Sequence, residues 1–315
     1  TASFSADMML GAVDGGTSAT DDAVTAGYSF QIDLNTSFTG EDSLDISLDA
    51  GNSDQAGVVM FDGNNTANDV LVVDGVAYTF PFGDSATIIV GDNTDGSALF
   101  TTACAYGGPS NTLDDCGNLL SAPTGGGATV GASYDFGNGY TVAAGLQTAE
   151  TGIVTDESMD IWALNAAYTG DNYGLSVTYA DTEAVTFAAL DFTDVQSIAF
   201  QAYYTPEAAG FPSFSGGLET SDGEVAGLDA DGTHWFLGAT WDEVGPGSAG
   251  IAVGTSVPTV EIAGVDIDES LMMEAYYSYP VNDGMTITPL IYTIDNTTAE
   301  RDDTTGIMVK TSFSF

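Results

Sequence analysis

Acidic side chains at alternate positions are the residues of this sequence most able to do chemistry. Asp33, Asp45 and Asp49 fall on the polar parity of the segment Val24–Ala50, and Glu274 falls on the polar parity of a later segment. Carboxylates that line a channel favour cations over anions. Like charges that face each other across a strand pair repel, and a water-filled lumen relieves that repulsion. These four residues are predicted to select cations; the alternative is that each is only a solvated wall carboxylate.

The elements that would position these aspartates are long β-strands. Val24–Ala50 alternates apolar and polar residues on both sides of a break at 39–42. Successive side chains of a strand point to opposite faces, so the segment predicts an antiparallel hairpin with one apolar and one polar face. Its strands run about 10 residues, which is enough to cross a bilayer at a tilt, whereas an average strand has about 5–6 residues. The length favours a membrane barrel over a soluble sandwich.

The same alternation recurs along the chain and gives about sixteen strands, an even number, as bacterial barrels have. Tight turns rich in Gly, Asn, Asp and Pro interleave with longer acidic segments. The long segments lie near 11–22, 51–69, 92–127, 147–159, 180–194, 219–232, 255–269 and 293–304. We therefore predict one all-β domain, 1–315, a transmembrane antiparallel β-barrel with short periplasmic turns and long extracellular loops.

Aromatic residues gather beside the tight turns and mostly keep the apolar parity of their strands. This distribution predicts a girdle of rings at the depth of the lipid headgroups, although aromatics also favour strands in general. They include Phe38, Phe80, Phe82, Phe136, Tyr140, Tyr168, Tyr173, Tyr204, Phe211, Trp241, Tyr277, Tyr279, Phe313 and Phe315.

Composition narrows the function further. The chain has 46 Asp and Glu against two Lys and Arg, a formal net charge of −44, so binding to nucleic acid is excluded by repulsion. Hydrophobic residues make up 43%, which is too many for a disordered chain. No apolar run is long enough for a transmembrane helix, and the mean hydropathy of +0.10 suits a barrel that alternates apolar and polar residues. Such a charge predicts a salty habitat, bound divalent cations, or both.

Cys104 and Cys116, the only cysteines, are predicted to form a disulfide in an oxidising compartment, the alternative being two free thiols.

Three acidic segments could give oxygen ligands to calcium or magnesium, although none has full EF-hand spacing. They are Asp92–Gly96, with Asp92 and Asp95; Asp229–Gly232, with Asp229 and Asp231; and Asp266–Glu269. No other cofactor is predicted. His234, the only histidine, is predicted to be a wall residue rather than a metal ligand or a base.

Three stretches carry a resemblance to a known family: Thr36–Leu44 with Leu48–Asn52, Tyr279–Pro289 and Thr311–Phe315. They resemble cyanobacterial outer-membrane porins of the carbohydrate-selective and iron-uptake group. Thr36–Leu44 with Leu48–Asn52 resembles the opening hairpin of that family, and Tyr279–Pro289 resembles its penultimate hairpin. Thr311–Phe315 is similar to its last strand, whose terminal aromatic is the assembly signal of outer-membrane barrels. The rest of the chain shares only the strand rhythm.

The resemblance implies a sixteen-stranded barrel, usually a homotrimer in contact with outer-membrane lipids and lipopolysaccharide, that passes ions and small solutes by diffusion. It also implies that the segment 92–127 folds into the lumen as a constriction loop, with Asp114 and Asp115 at or near the constriction. The alternative is an external, disulfide-clamped loop. Two features depart from the family. No cell-wall-binding module is seen in these residues, and the third strand carries Asp45, Ser47 and Asp49 where relatives tend to have basic residues.

The leading hypothesis is a cation-preferring porin in the outer membrane of a bacterium, in which lumen carboxylates raise the local concentration of cations and the loop limits size. The resemblance and the charge together predict a marine cyanobacterium as the source. A secreted, acidic, calcium-binding β-sandwich adhesin is a second hypothesis. A barrel-borne hydrolase is a third, and His234 would be its base. Neither a Walker loop nor a Gly-x-Ser-x-Gly elbow is present, and we predict no enzyme.

Overall fold

The computed structural model describes residues 1–15, 23–53, 58, 60–61, 63, 69–124, 126–151, 153, 160–187, 190–295 and 302–314. Its secondary structure is made of β-strands. In chain order these are β1 (Ala2–Asp14), β2 (Thr25–Thr36), β3 (Ser43–Gly51), β4 (Val72–Phe82), β5 (Ala86–Asp92), β6 (Ala128–Gly137), β7 (Tyr140–Thr148), β8 (Ile161–Thr169), β9 (Tyr173–Phe187), β10 (Leu190–Tyr204), β11 (Ser213–Val225), β12 (Leu228–Val244), β13 (Gly247–Val257), β14 (Thr259–Ile262), β15 (Val265–Ile267), β16 (Ser270–Asn282), β17 (Met285–Ile294) and β18 (Thr304–Ser314). Among the described residues, no helix is long and apolar enough to cross a membrane.

Sixteen of these strands form one closed antiparallel sheet. Each pairs with its neighbour in the chain, and β1 closes the ring because it pairs with both β2 and β18. The other two strands, β14 and β15, form a short hairpin. Its first strand pairs with the beginning of β12, and the rest of β12 pairs with β13, which in turn pairs with β16. Closure leaves the main sheet without a free edge. The predicted barrel is confirmed, and the β-sandwich hypothesis is wrong because the sheet closes on itself.

Alternation along each strand separates an outer from an inner face. In β8, Trp162 and Leu164 are exposed, whereas Ala163 and Asn165 are buried. Exposed apolar residues continue this outer belt around the barrel: they include Met8, Leu10, Val130, Val142, Leu175, Phe200, Leu218, Leu237, Ile251, Met273, Ile291 and Ile307. Near the short turns the exposed residues are aromatic, as predicted: they include Phe38, Phe82, Phe136, Tyr140, Tyr173, Tyr204, Phe211 and Tyr279.

Three of the predicted long loops consist mostly of strands instead. The segment 255–269 holds the end of β13 and the hairpin of β14 and β15, and the other two segments are extensions of longer strands. Most of 180–194 belongs to β9 and β10, and 219–232 lies in β11 and β12 except for a turn at Ala226–Gly227. Both turn residues have positive φ, 53° and 77°, the backbone of a tight type I′ hairpin turn. The prediction failed because these extensions carry polar residues on both faces. Hydrophobic periodicity is then absent, although the backbone ladder still pairs.

Part of the inner face is apolar, contrary to the prediction that inward side chains meet water. An interior cluster unites side chains of β1, β12, β13 and β16–β18 with side chains of two loops. Its members are Met9, Val13, Phe236, Ala252, Met272, Tyr276, Leu290, Tyr292 and Met308 from the strands, and Val58, Phe61, Tyr106, Leu113 and Cys116 from the loops. Burying this apolar surface favours loops that fold into the barrel.

Candidate functional site in the barrel interior

The segment 92–127, hereafter the long inner loop, lies against the inner wall of the barrel. Three of its alternate backbone N–H groups donate hydrogen bonds to inward side chains of β8, β9 and β11. These bonds run from Thr101 to Asn165 Oδ1 at 3.1 Å, from Ala103 to Ser176 Oγ at 3.0 Å and from Ala105 to Ser215 Oγ at 2.8 Å. An extended chain presents every second N–H to the same side, so alternate loop residues meet successive wall hydroxyl and amide groups.

Glu219 holds the end of the long inner loop. The backbone N–H groups of Leu120 and Ser121 donate to its carboxylate at 3.0 and 2.9 Å, and only 2% of the Glu219 residue is exposed. Two adjacent backbone N–H groups share this one buried side chain, so Glu219 fixes the end of the loop on the wall. The sequence reasoning missed Glu219. The signal was its inward parity on β11, in line with Ser213 and Ser215.

His234 is the ladder partner of Glu219 and is also a contact for the loop. Its Nδ1 lies within hydrogen-bond distance of Thr255 Oγ1, and its Nε2 lies 3.3 Å from Asp115 Oδ2. The backbone carbonyl of Asp115 also accepts a hydrogen bond from Gln201 Nε2 at 2.9 Å. Asp115 therefore packs against the wall, whereas Asp114 is exposed. His234 is a wall residue, as predicted.

Glu274 points inward but lies beneath the loop rather than on an open surface. The Tyr106 hydroxyl donates a hydrogen bond to Glu274 Oε1 at 2.5 Å, and the Tyr106 ring packs against Phe236 and Tyr276 with centroid distances of 5.2 and 6.0 Å. Cys104 and Cys116, on either side of Tyr106, form a disulfide with Cα atoms 6.2 Å apart. The bridge and the tyrosine together hold this part of the loop on the strands.

A second loop, from Asn52 to Asp69, also enters the barrel in its described part. Phe61 forms a β-bridge with Ser110 of the long inner loop, and the backbone N–H of Asn111 donates to the carbonyl of Met60 at 3.0 Å. The Phe61 ring is buried in the interior cluster, and the ammonium nitrogen of Lys310 lies 5.4 Å from its centroid. The two loops thus form one joined inner layer.

The aspartates predicted from alternation lie on a different part of the wall. Asp33 faces Ser47 in the ladder, Asp45 faces Asn35 and Asp49 faces Gln31, so no two of them oppose each other. Gln31 Nε2 donates to Asp33 at 2.7 Å and Asn35 Nδ2 donates to Asp45 at 2.7 Å. The ladder register, and not water alone, therefore relieves the expected repulsion.

Exposure separates the two sides of the interior. The inward residues of β7–β11 opposite the long inner loop are buried; they include Ala143, Gln147, Asn165, Ser176, Thr178, Ala199, Gln201 and Ser215. Inward residues of β1–β3 near the short turns keep part of their surface; they include Ser3, Ser5, Asp7, Gln31, Asp33, Asn35, Asp45 and Ser47. Within the part of the chain that the structure describes, the loops leave this acidic wall uncovered.

The proposed metal ligands are dispersed over the long-loop end. Asp92 ends β5, Asp95 follows it in the long inner loop, and Asp229 and Asp231 are exposed on β12. Within the described part of the chain, no group of three or more His, Cys, Asp or Glu side chains is arranged to hold a metal ion. A calcium or magnesium ion at these residues stays a prediction.

Comparison with known proteins identifies the fold. No family model and no curated protein sequence matches this chain. Solved structures do: OmpT of Vibrio cholerae is 12% identical with a TM-score of 0.69, over 100% of this chain and 97% of that one. An anion-selective porin from Comamonas acidovorans is 14% identical with a TM-score of 0.67, over 100% and 99% of the two chains. OprB of Pseudomonas putida is 12% identical with a TM-score of 0.65, over 99% and 94%.

This is the porin barrel fold. The match extends over the whole length of the chain, so the inner loops and the extended strands belong to one barrel of ordinary porin size. The sixteen-stranded barrel implied by the resemblance to porins is confirmed. Because the identities are low, the side chains of this chain must decide what it does.

Proposed function

We propose that this protein is an outer-membrane porin through which ions and small hydrophilic solutes diffuse passively, with a preference for cations. The observation that carries the proposal is the uncovered acidic wall of β1–β3 inside a closed barrel whose opposite wall is covered by the long inner loop. The exposed apolar belt supports a position in a lipid bilayer, because a belt of this kind is larger than the apolar patches of water-soluble proteins.

The preference for cations rests on the charges of this chain and not on its fold. The Comamonas acidovorans protein, described as anion-selective, has a similar barrel, so the barrel alone does not set the sign of selectivity. Here the uncovered wall holds Asp33 and Asp45, and Asp49 lies at its covered end. Carboxylates in a narrow aqueous passage raise the local cation concentration. Asp115 and Glu274 have a different role in this proposal, since they hold the constriction loop against the wall.

We also propose a homotrimer in contact with outer-membrane lipids and lipopolysaccharide, in a cyanobacterium of a salty habitat related to the carbohydrate-selective and iron-uptake porins. One OmpT of Vibrio cholerae with this fold is described in a trimer form, which supports the assembly. The net charge of −44 supports the habitat, since high salt screens repulsion between carboxylates.

A hydrolase is the weaker candidate. His234 would have to act as its base, yet both ring nitrogens lie against Thr255 and Asp115, and 3% of the residue is exposed. A buried imidazole that contacts a loop in this way has no room for a substrate.

Reconstitution into planar lipid bilayers tests the proposal. We expect stepwise conductance and, in a KCl gradient, a reversal potential that favours potassium over chloride and weakens as the salt concentration rises. An anion-favouring reversal potential would overturn the cation preference. A purified protein that stays soluble and monodisperse without detergent, and never conducts, would overturn the porin itself.

A further inference from the structure

The inner faces of β1, β2 and β3 carry their carboxylates in a regular order. Inward residues of the three strands line up in rows across the ladders. Each of four successive rows contains one aspartate. The rows are Asp7 with Ser29 and Gly51; Asp49 with Gln31 and Ser5; Asp33 with Ser47 and Ser3; and Asp45 with Asn35. Rows two residues apart are separated by about 6.8 Å along a strand.

The ladder partners on the neighbouring strands add no charge to these rows. On β4 the partners of Asp49, Ser47 and Asp45 are Val72, Gly75 and Ala77; Asp74, at the register shift between Val73 and Gly75, is exposed and lies close enough to Asp49 for the two carboxylates to interact. On β18 the partner of Asp7 is Ser312. Among the described residues, each ladder row therefore offers a passing ion one carboxylate, and Asp74 adds a second near Asp49.

Asp49 shows that the series is suited to a cation. Only 6% of this residue is exposed, and its Oδ1 accepts no hydrogen bond from the described residues. A buried carboxylate oxygen without a donor is costly, and a bound cation would satisfy it.

Asp7 occupies the row where the loops begin to cover the wall. The next inward residue of β1, Met9, is 1% exposed within the interior cluster, and the next inward residue of β2, Gly27, lies against Val58. Asp7 itself keeps part of its surface. It is the last inward residue of β1 before the loop layer narrows the lumen.

We propose that Asp45, Asp33, Asp49 and Asp7 form a staircase of carboxylate sites for monovalent cations, one in each ladder row, and that Asp7 sets selectivity where the loop layer narrows the lumen. This inference rests on the proposed porin function. Calcium takes 6–8 oxygen ligands, often from several carboxylates, so one carboxylate per row does not hold it tightly. Weak sites in series let an ion enter and also leave, which conduction requires.

The positive charge of Lys310 opposes the attraction of the four aspartates for cations. Lys310 is the ladder partner of Met9, one row beyond Asp7, and its ammonium group is drawn toward the Phe61 ring. Its positive charge lowers the attraction for cations in the narrow row. Removing this charge and removing the charge of Asp7 should therefore change selectivity in opposite directions.

The test is the potassium-to-chloride permeability ratio of bilayer channels at about 0.1 M salt. A unit charge at about 7 Å in water changes a local ion concentration about two- to threefold. Asp7→Asn should lower the ratio by that factor, Asp7→Glu should keep it, and Lys310→Gln should raise it. Asp84→Asn, in an exposed turn, removes the same charge and should change the ratio less. At about 1 M salt the differences should vanish, since the Debye length falls to about 3 Å.

The outcomes separate the two proposals. If the parent channel prefers cations and Asp33→Asn lowers the ratio while Asp7→Asn does not, the role of Asp7 is overturned and the porin stands. If the parent prefers anions, the cation preference itself fails. Block of the potassium current by micromolar calcium would overturn the monovalent class. If Asp7→Asn does not fold, Asp7→Cys can be modified with a cationic or an anionic thiol reagent. The two modified channels should then differ in potassium-to-chloride permeability ratio, and equal ratios would overturn the proposal.

Discussion

The carboxylates of this protein lie in different environments and therefore have different roles. Asp33 and Asp45 lie in the uncovered lumen, and Glu219 lies buried under a loop. Asp42 has a third role, since its side chain accepts the hydrogen bonds that close the turn between β2 and β3. Its Oδ1 accepts hydrogen bonds from the Ser37 hydroxyl at 2.5 Å and the Thr39 backbone N–H at 2.8 Å, and its Oδ2 accepts one from the Tyr78 hydroxyl at 2.7 Å.

Asp42 should make the stability of the barrel depend on pH. The hydrogen bond from Ser37, together with those from Thr39 and Tyr78, holds the pKa of the Asp42 carboxyl well below its ordinary value of 3.8. The folded state then binds this proton less readily than the unfolded state. The stabilisation is present above pH 4 or so and is lost as the pH falls through the folded pKa.

This effect can be measured as the difference in unfolding free energy between the parent and Asp42→Asn. We expect the difference to be largest above about pH 5 and to shrink as the solution becomes more acidic. Taking the difference cancels the titration of the other carboxylates. A difference that stays constant from pH 6 to about pH 2 would contradict the assignment.

Glu219 should contribute to stability through the hydrogen bonds that its carboxyl oxygens accept. Glu219→Gln keeps the shape but replaces one of the two oxygens that accept from the Leu120 and Ser121 N–H groups with an NH2 donor, which should cost about 1–3 kcal/mol of unfolding free energy. Glu224→Gln, at an exposed position of the same strand, is the matched control and should cost nothing. Equal stabilities of the two variants would show that Glu219 does not anchor the loop.

At the scale of elements, the long inner loop and the Asn52–Asp69 loop act as one layer because Phe61 joins them. The Phe61 backbone forms a β-bridge with Ser110, and the Phe61 ring packs in the interior cluster beneath the Lys310 ammonium group. The loops are therefore held from two sides, by wall side chains and by each other.

Phe61→Ala should loosen this layer and widen the passage. Truncating a phenylalanine that is 1% exposed costs about 3–5 kcal/mol of unfolding free energy, and the single-channel conductance should rise because the loop no longer fills its side of the lumen. Phe82→Ala, at a ring 68% exposed on the outer face, should leave the conductance unchanged. The idea fails if both variants conduct like the parent.

At the scale of the whole molecule, the net charge of −44 acts on every part of the barrel. At the long-loop end, carboxylates directly oppose one another: Asp222 faces Asp231, which faces Glu261 on its other side. Like charges that face across strands are destabilising, and here all three side chains are exposed to water, where salt can screen them.

Thermal stability in a neutral detergent should therefore rise with salt. We expect the midpoint of unfolding to increase between about 10 mM and 0.5 M NaCl, since the Debye length falls from about 30 Å to less than 10 Å. Magnesium chloride at equal ionic strength distinguishes screening from binding: a further increase would indicate bound divalent ions. A midpoint that does not change with salt would show that repulsion is unimportant in the folded barrel.

The sequence by itself determined the barrel, most of its strands with their inner and outer faces, and the aromatic residues beside the short turns. It could do so because the period of two residues that separates the faces is a local property of an extended chain. The inward parity of Asp33, Asp45, Asp49 and Glu274 followed from the same rule.

Only the tertiary structure decided which inward residues meet water and which meet a loop. Tyr106 and Glu274 are 168 residues apart in the chain, and no local pattern links them. Glu274 and Asp33 have the same parity, yet one is buried beneath the long inner loop and the other stays on the uncovered wall. The position of a loop inside a barrel depends on contacts between distant residues, and that is why alternation alone could not separate an anchor from a wall charge.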